Sequence, residues 1–272
     1  MPIDRKLETN RTYMEQYKSF PAIDGGAWAF RPQGPNSAES CSQSYTDGVA
    51  VIILCKNRWK QVKVMLHYLN ELLQRQRLCY QIFVMEQRFP SFFNRAMLFN
   101  VGFVEANKRF RFRCIVFHDA DLAPINDFNP YGCDSLSESN AVHLGVALDD
   151  RNFKLRYQRL VGGVLKISKE NFLKLNGFSN KYWGWGQEDD DFALRMDAKN
   201  IPFVHMVIRY ARYHVVKHKK VPKDKVPFHR RLLKSAKSRI KSDGLSSLNY
   251  SVISVQSTPL YTHIQVDLFG FH

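Results

Sequence analysis

Residues 49–55 read VAVIILC, an unbroken apolar run that is rich in β-branched side chains. Such a run is typical of a strand buried on both faces at the centre of a sheet. Alternating helical and strand patterns follow it: a helix at 60–76, a strand at 80–87, a helix at 93–110 and a strand at 114–121. This order predicts an α/β fold with a mostly parallel central sheet and flanking helices, whose ligands bind at the carboxyl ends of the strands.

The second half of the chain is less regular. LVGGVLKIS at 160–168 predicts a strand with a glycine pair, and KENFLKLNG at 169–177 predicts a short helix that ends at its glycine. EDDDFALRMDAKN at 188–200 predicts a helix with carboxylates in its first turn. Residues 1–47 mix Pro, Gly, Ser and Asn with little periodicity, which is typical of an arm or linker.

The composition narrows the function classes. The 272 residues, 44% of them hydrophobic, suit one large domain or two closely packed lobes. A formal charge of +15 favours an anionic partner, such as a phosphate, an acidic glycan, an anionic membrane or a nucleic acid. No Gly-rich dinucleotide loop or Walker loop follows a predicted strand, which argues against dehydrogenases and P-loop enzymes. No apolar run of about 18 residues and no signal sequence is evident.

Two carboxylates, Asp119 and Asp121, end the strand predicted at 114–121. Alternation along a strand puts them on one side, at the edge where a parallel sheet binds ligands. A divalent ion that bridges a diphosphate needs such an oxygen ligand. The alternative is a pair of solvated acids at the edge of a loop.

The stretch YWGWGQEDDD at 182–191 joins two tryptophans, two glycines and four acids. Large aromatic rings between flexible glycines form a platform for the face of a sugar, and a neighbouring carboxylate can take a proton from a sugar hydroxyl. The alternative is a helix N-terminus stabilised by acids.

Several blocks resemble, in order, the signature segments of the β-1,4-galactosyltransferase family. They are FNRAMLFNVGF at 93–103, CIVFHDADLAPINDFNPYGC at 114–133, GGVLKISKENFLKLNGFSNKYWGWGQEDDD at 162–191, SDGLSSLNYSV at 242–252 and PLYTHIQVDL at 259–268. The resemblance extends from about Val49 to Leu268. It implies a GT-A fold, Mn²⁺, a UDP-sugar donor, inversion at the anomeric carbon and residence in the Golgi lumen as a type II membrane protein.

The same resemblance implies a role for each matching residue. Donor contacts are expected from Lys56, Arg58, Phe93, Arg95, Asp119, Leu160, Gly163 and Trp185. Acceptor contacts are expected from Tyr157, Trp185, Glu188 and Asp190. Asp189 is expected to be the catalytic base. Lys56 and Arg58 stand in CKNR, where the family has PFRxR, although Leu54-Cys55 replace its Pro-Phe.

The expected metal ligands are Asp121 and His218. HVVKHKK at 214–220 resembles the family's RMIRHSR, which aligns His218 with the ligating histidine and Val215 with the ligating methionine. A valine side chain cannot bind a metal, so His214 or a water molecule is left to complete the shell.

The five cysteines form no CxxC pair and no zinc-finger spacing, so a structural zinc site is not expected. Cys114 and Cys133 match a family disulfide, which would require an oxidising compartment. Cys41 resembles half of a second one, whose other half would lie before Met1. That gap and the missing membrane anchor predict an N-terminally incomplete chain or an atypical gene product.

The resemblance therefore predicts a catalytic domain at 48–268, with a nucleotide-binding half at 48–135 and an acceptor and catalytic half at 136–268. The expected reaction moves galactose or N-acetylgalactosamine from UDP to a terminal N-acetylglucosamine. Leu160 stands where galactose-specific members carry a tyrosine, so the N-acetyl donor is a candidate.

Two other functions stay open. One is a non-enzymatic module that binds anionic glycan or nucleic acid through residues 217–241, of which 11 of 25 are Lys or Arg. The lack of interleaved aromatics and of any nucleic-acid motif argues against a nucleic-acid partner. The other is a catalytically inactive, lectin-like protein, which the intact acids disfavour. A membrane is expected to be a partner only through the missing anchor.

Overall fold

The computed structural model describes residues 48–90, 92–218 and 227–270. The predicted arm at 1–47, and Cys41 with it, lie outside the described residues. The helices are α1 (Trp59–Arg75), α2 (Arg95–Arg109), α3 (Ser135–Ser139), α4 (Lys169–Lys174), α5 (Glu188–Ala198), α6 (Pro227–Lys234) and α7 (Ala236–Arg239). The strands are β1 (Val49–Cys55), β2 (Tyr80–Phe89), β3 (Cys114–His118), β4 (Leu122–Pro124), β5 (Ala141–His143), β6 (Ala147–Leu148), β7 (Val164–Ser168), β8 (Phe203–His205), β9 (Arg212–Val215), β10 (Tyr250–Ser257) and β11 (Thr262–Leu268).

The predicted α/β class, with a central sheet and flanking helices, is confirmed. An eight-stranded sheet has the order β10-β11-β2-β1-β3-β7-β5-β8, and β11, β2, β1 and β3 run parallel in it. Strand β7 is antiparallel to both of its neighbours, and β10 is antiparallel to β11. The sheet is therefore mixed, with its parallel part where the sequence predicts it. A small second sheet has the order β4-β9-β6.

Strand β1 is buried along its whole length because both of its faces are covered. Alternate residues point to opposite faces, so Ala50 and Ile52 pack in one core cluster with α2, while Val51 and Ile53 pack in another with α1. Helix α2 lies very close to the sheet, since a Cβ at Gly102 would come within 2.5 Å of the Ile52 side chain. This packing fixes the start of α2 at the edge of the sheet where β1 and β3 end.

The predicted helices at 60–76, 93–110, 169–177 and 188–200 are confirmed as α1, α2, α4 and α5, with ends within three residues of the prediction. The strand predicted at 114–121 is too long, because it ends at His118. Asp119 and Asp121 lie on a turn that leads into β4, so strand alternation does not align them. The strand predicted at 160–168 begins only at Val164.

The disulfide that the resemblance implies is present between Cys114 and Cys133. It joins the first residue of β3 to the loop that precedes α3, and so it closes the segment that carries Asp119 and Asp121. Within the described ranges, no helix combines the length and the apolar character that crossing a bilayer requires.

Candidate active site

A cavity of about 780 Å³ opens between the end of β3, the start of α2 and the start of α5. Its wall includes ten of the residues that the sequence nominates: Phe93, Arg95, Asp119, Tyr157, Leu160, Gly163, Trp185, Glu188, Asp189 and Asp190. Residues from distant parts of the chain thus meet in one site. The wall also includes residues that the sequence analysis missed, among them Arg156, Gly162, His229 and Arg230.

Arg95 connects the two acidic stretches across the cavity. Its guanidinium group lies 2.7 Å from Asp119 Oδ1 and 3.4 Å from Glu188 Oε1, and it also lies over the ring of Phe99. Burial alone would lower the pKa of Arg95. The nearby carboxylates of Asp119, Glu188 and Asp189 have the larger combined effect, so the pKa is raised above its ordinary value. Arg95 therefore stays charged and holds the turn after β3 against the first turn of α5.

Glu188 lines the cavity and has one side-chain oxygen atom without a partner among the described residues. Its Oε2 is buried and forms no hydrogen bond with any described residue. Burial and the neighbouring Asp189 raise the pKa of Glu188 to about 7, against the opposing effect of Arg95. A buried polar atom without a partner is costly, so a ligand hydroxyl that bonds to this oxygen would relieve the cost.

Asp189 lies against the glycine pair that precedes β7. A Cβ at Gly162 would come within 2.5 Å of Asp189 Oδ2, so only glycine leaves room for the carboxylate. Asp189 Oδ1 accepts a hydrogen bond from the Asp190 backbone N–H at 3.0 Å. Burial, followed by the charge of Asp190, raises the pKa of Asp189. The site thus holds a carboxylate that takes up a proton more readily than one in water.

The segment around Tyr157 and Leu160 forms the opposite wall. The Tyr157 hydroxyl donates to Asp190 Oδ1 at 3.0 Å, which ties this segment to α5. Leu160 is half-buried and faces the cavity. The cavity therefore has an apolar patch beside its carboxylates.

Trp185 is half exposed at the cavity wall, between two glycines that both have positive φ angles. Gly184 donates its N–H to the Phe93 carbonyl at 2.7 Å, whereas a Cβ at Gly186 would touch nothing within 4 Å. An exposed indole between two glycines has the form that a sugar platform requires.

Asp121 and His218 face each other beside this cavity without contributing to its wall. His218 Nε2 lies 3.0 Å from Asp121 Oδ2, and the Val216 N–H donates to the Asp121 carbonyl at 2.8 Å. His214 instead contacts Asp149. Among the described residues no group of three or more His, Cys, Asp or Glu could hold a metal. Thus His214 does not join the pair.

Lys56 and Arg58 also lie outside the cavity wall. Lys56 Nζ donates to the Pro90 carbonyl at 2.7 Å, and burial lowers its pKa. Arg58 occupies the N-cap position of α1. Both follow β1 at its carboxyl end, as the sequence predicts, and their expected contact with the donor stays a prediction.

The fourth acid of the EDDD run, Asp191, points into the core instead of the cavity. It is fully buried and accepts hydrogen bonds from Arg195 Nε at 2.7 Å and from the Tyr182 hydroxyl at 2.9 Å. Arg195, also fully buried, extends the network to Asp243 at 3.2 Å. This ion-paired core holds α5 in place, and with it the three acids at its start.

Replacing Arg195 should therefore destabilise the whole domain. Arg195→Ala leaves Asp191 and Asp243 buried with Arg239 as their remaining cationic partner, and breaking a buried ion pair typically costs about 3–5 kcal/mol of unfolding free energy. Arg159→Ala is the matched control, because Arg159 pairs with Asp197 on the surface and such a pair is worth about 1 kcal/mol or less. Urea unfolding followed by circular dichroism measures both. Equal losses in the two variants would contradict the assignment of the buried network.

Comparison with known proteins gives consistent matches. Residues 6–134 match the N-terminal region of glycosyl transferase group 7, and residues 142–219 match the N-terminal domain of galactosyltransferase. The chain is 38% identical to β-1,4-galactosyltransferase 4 of Cricetulus griseus over 97% of its own length and 73% of that protein. It is 43% identical to β-1,4-galactosyltransferase 1 of Bos taurus over 81% of its length and 54% of that protein. The chain thus spans between about half and three quarters of these relatives.

The fold is also similar to solved structures. The catalytic domain of Drosophila β-1,4-galactosyltransferase 7 in complex with xylobiose matches with a TM-score of 0.71 and 25% identity, over 82% of this chain and 95% of that one. A mutant of the same Drosophila enzyme, in complex with manganese, UDP-Gal and xylobiose, matches with a TM-score of 0.69 and 24% identity over the same shares.

Proposed function

The chain belongs to the β-1,4-galactosyltransferase family, and we propose that it is a metal-dependent inverting glycosyltransferase. The proposed reaction moves galactose or N-acetylgalactosamine from a UDP-sugar to a terminal N-acetylglucosamine of a glycoconjugate. The observation that carries the proposal is the cavity, in which the exposed ring of Trp185 and the carboxylate of Asp189 share one wall. The names of the curated relatives support sugar transfer, and the xylobiose in the Drosophila structure supports a glycan acceptor.

In the proposed mechanism, Asp189 is the general base. It accepts the proton from the acceptor hydroxyl, whose oxygen forms a bond to the anomeric carbon of the donor. The bond from that carbon to the UDP oxygen breaks on the opposite side, so UDP leaves with the electron pair and the configuration inverts. The raised pKa of Asp189 suits a group that must accept a proton near neutral pH.

Other groups in the wall would hold the reactants. Trp185 offers a flat apolar face for a sugar ring, and Glu188 Oε2 offers an unused acceptor for a sugar hydroxyl. Arg156 and Arg230 line the cavity and form no ion pair with another described residue. Unpaired cations in a sugar site suit the negative charge of a sugar nucleotide.

The chain's own residues fit a divalent cation. A carboxylate oxygen and an imidazole nitrogen are both ligands that Mn²⁺ accepts, and Asp121 and His218 present these atoms to each other. The two atoms lie 3.0 Å apart, so both residues would be able to hold one cation. Once bound, the cation would neutralise the charge that develops on the departing diphosphate.

The decisive experiment is sugar transfer with purified protein. UDP-galactose and UDP-N-acetylgalactosamine are each offered with an N-acetylglucosamine acceptor, with and without Mn²⁺, and the product linkage is determined by NMR. Transfer that requires the metal supports the proposal. Tight binding of an anionic glycan or of nucleic acid without any turnover would favour the basic binding module instead.

Donor choice gives a specific prediction at Leu160. A leucine at the cavity wall leaves room for an acetamido group and can cover its methyl, which is worth about 1 kcal/mol. We expect UDP-N-acetylgalactosamine to be used at least as well as UDP-galactose. Leu160→Tyr should shift the ratio of kcat/KM values toward galactose by about tenfold or more, through steric exclusion. Competition of the two donors at equal concentration measures the ratio.

Leu173→Tyr is the matched control, because Leu173 is an exposed leucine of α4. It should leave the donor ratio unchanged. A strong galactose preference in the natural chain that persists in Leu160→Tyr would show that Leu160 does not set donor choice.

We also propose that the chain works in a lumenal, oxidising compartment such as the Golgi. The Cys114–Cys133 disulfide supports it, since disulfides persist in oxidising compartments and are rare in the cytosol.

A further inference from the structure

Two histidines that the proposed mechanism does not use lie behind the cavity wall. His143 ends β5 and is fully buried, and His205 ends the neighbouring parallel strand β8, in register with it. Their Nδ1 atoms are 2.9 Å apart. The Nε2 of His143 lies 2.7 Å from the Gly162 carbonyl oxygen, and the Nε2 of His205 lies 2.8 Å from the Gln158 carbonyl oxygen. A chain of three hydrogen bonds therefore joins residues 158 and 162.

The bonded segment, residues 158–163, forms part of the cavity wall. It carries Leu160 and Gly163, and Gly162 lies directly against Asp189. It has no regular secondary structure, and the Gly163 carbonyl accepts from the Asp119 N–H at 2.9 Å. The histidine pair thus anchors the segment on the side away from the ligand.

The hydrogen-bond chain determines how many protons the pair holds. Carbonyl oxygens only accept, so both Nε2 atoms must carry a proton. The contact between the two Nδ1 atoms needs one more. Two neutral imidazoles hold two N–H protons together, whereas this chain needs three. The arrangement is complete only when one of the rings is an imidazolium.

The surroundings decide which ring carries the extra proton. Burial lowers the pKa of His143 to about 4, so this ring stays neutral and donates only from Nε2. The extra proton therefore sits on the half-buried His205, which then donates from both nitrogens. A neutral His205 has only one N–H, so it would face either His143 Nδ1 or the Gln158 carbonyl oxygen with a lone pair and would lose that hydrogen bond.

Few charged groups face the pair. On β7, Leu165 is opposite His143, and the neighbouring Lys166 is bonded to the Gly132 carbonyl and to Asp134. On the segment itself, Arg159 pairs with Asp197 of α5 and lies over the ring of Phe203. Asp189, also on α5, approaches Gly162. Both neighbouring basic side chains thus have an acidic partner.

We propose that His143 and His205 are positioning residues that hold the 158–163 segment of the sugar cavity through one shared extra proton. The segment is fixed while the pair carries three N–H protons and loosens when the pair becomes neutral as pH rises. Its bonds are therefore complete only while the pair holds its third proton, and histidine is the side chain that generally changes charge between about pH 5 and pH 8. The consequence for donor binding rests on the proposed function, whereas the proton count does not.

The proton count is tested directly by NMR on the full chain with ¹⁵N-labelled histidine. Spectra of the ring nitrogens near pH 6 should show three protonated nitrogens on this pair, and two near pH 8, with signals assigned by their loss in His205→Arg and His143→Asn. Only two protonated nitrogens near pH 6 would overturn the proposal. This readout needs no sugar transfer, so it separates a failure here from a failure of the proposed function.

The effect on the cavity is tested with His205→Arg, because an arginine donates to both neighbours and stays charged at every pH used. Between pH 6 and pH 8, KM for the UDP-sugar should rise by a factor that is about five times larger in the natural chain than in His205→Arg. That difference corresponds to the loss of about one hydrogen bond. Taking the ratio between variants cancels the titration of Glu188 and of the substrate. His67→Gln on α1 should keep the natural pH dependence.

His205→Leu removes the donors at every pH, and its KM should be high throughout. Its folding is checked by the midpoint of thermal unfolding, and if it unfolds, the arginine variant decides alone. Equal KM ratios in the natural chain and in His205→Arg would overturn the proposal.

Discussion

Asp189→Asn is expected to slow sugar transfer by about 10²- to 10⁴-fold, which is the usual contribution of a general base. Asparagine has nearly the same shape as aspartate, and its carbonyl can still accept from the Asp190 N–H, so the cavity wall should keep its geometry. The variant lacks only the group that accepts the proton of the acceptor hydroxyl. UDP binding, measured by calorimetry, should change little while kcat falls.

The pH profile adds a signature that a structural defect would not produce. Burial raises the pKa of Asp189, so the rate in the natural chain should decline as pH falls through that raised value and be retained above it. Glu188, whose pKa is about 7, interacts with Asp189, so the acid limb of the pH–rate profile reflects the titration of both carboxylates together. The acid limb should be reduced in Asp189→Asn.

Asp127→Asn is the matched control, since Asp127 is an exposed carboxylate paired with Arg75 away from the cavity. It should keep the natural rate. A natural rate in Asp189→Asn would remove Asp189 from the mechanism, and Glu188 would become the alternative base.

The part of the fold that was predictable is the part with a single strong pattern. The run at Val49–Cys55 is apolar throughout because both faces of β1 are covered, and α1 shows the periodicity of a helix with one buried side. The hairpin of β10 and β11 was missed because neither strand forms a continuous apolar run: β10, at the sheet edge, has no fully buried residue, and β11 alternates between buried and partly buried residues. Short strands such as β5 and β8 carry too few residues for any period to show.

The candidate site was predictable to the extent that motifs mark it. Asp119 and Glu188 are far apart in the chain, and only the resemblance suggested that they share a site. The turn after β3 was mistaken for strand because its residues continue the alternation. The pairing of His143 with His205 had no sequence signal, since the register of two three-residue strands creates it. Arg156 and Arg230 were likewise hidden among many basic residues.

The metal pair gives the second large expected effect. Loss of an outer-shell partner of a metal ligand weakens metal binding roughly 10- to 100-fold. Asp121→Asn and His218→Ala each remove a proposed ligand, so each should weaken Mn²⁺ binding by more than this. Metal-dependent transfer should fall with the binding. Val215→Met should tighten Mn²⁺, because a thioether would extend from the strand that leads to His218, opposite Leu122. Mn²⁺ binding is measured by electron paramagnetic resonance, with and without UDP.

The variant His214→Ala tests whether the metal ligand is His218 or the neighbouring His214. In the proposed metal site, Val215 offers no side-chain ligand and His214 is the nearest substitute in sequence, yet His214 contacts Asp149, which also accepts the Val215 N–H. This arrangement orients the strand, and the proposed cation site consists of Asp121 and His218, so His214→Ala should change Mn²⁺ affinity far less than His218→Ala. An unchanged affinity in His218→Ala together with a large loss in His214→Ala would reverse the assignment, because His214 would then be the metal ligand in place of His218.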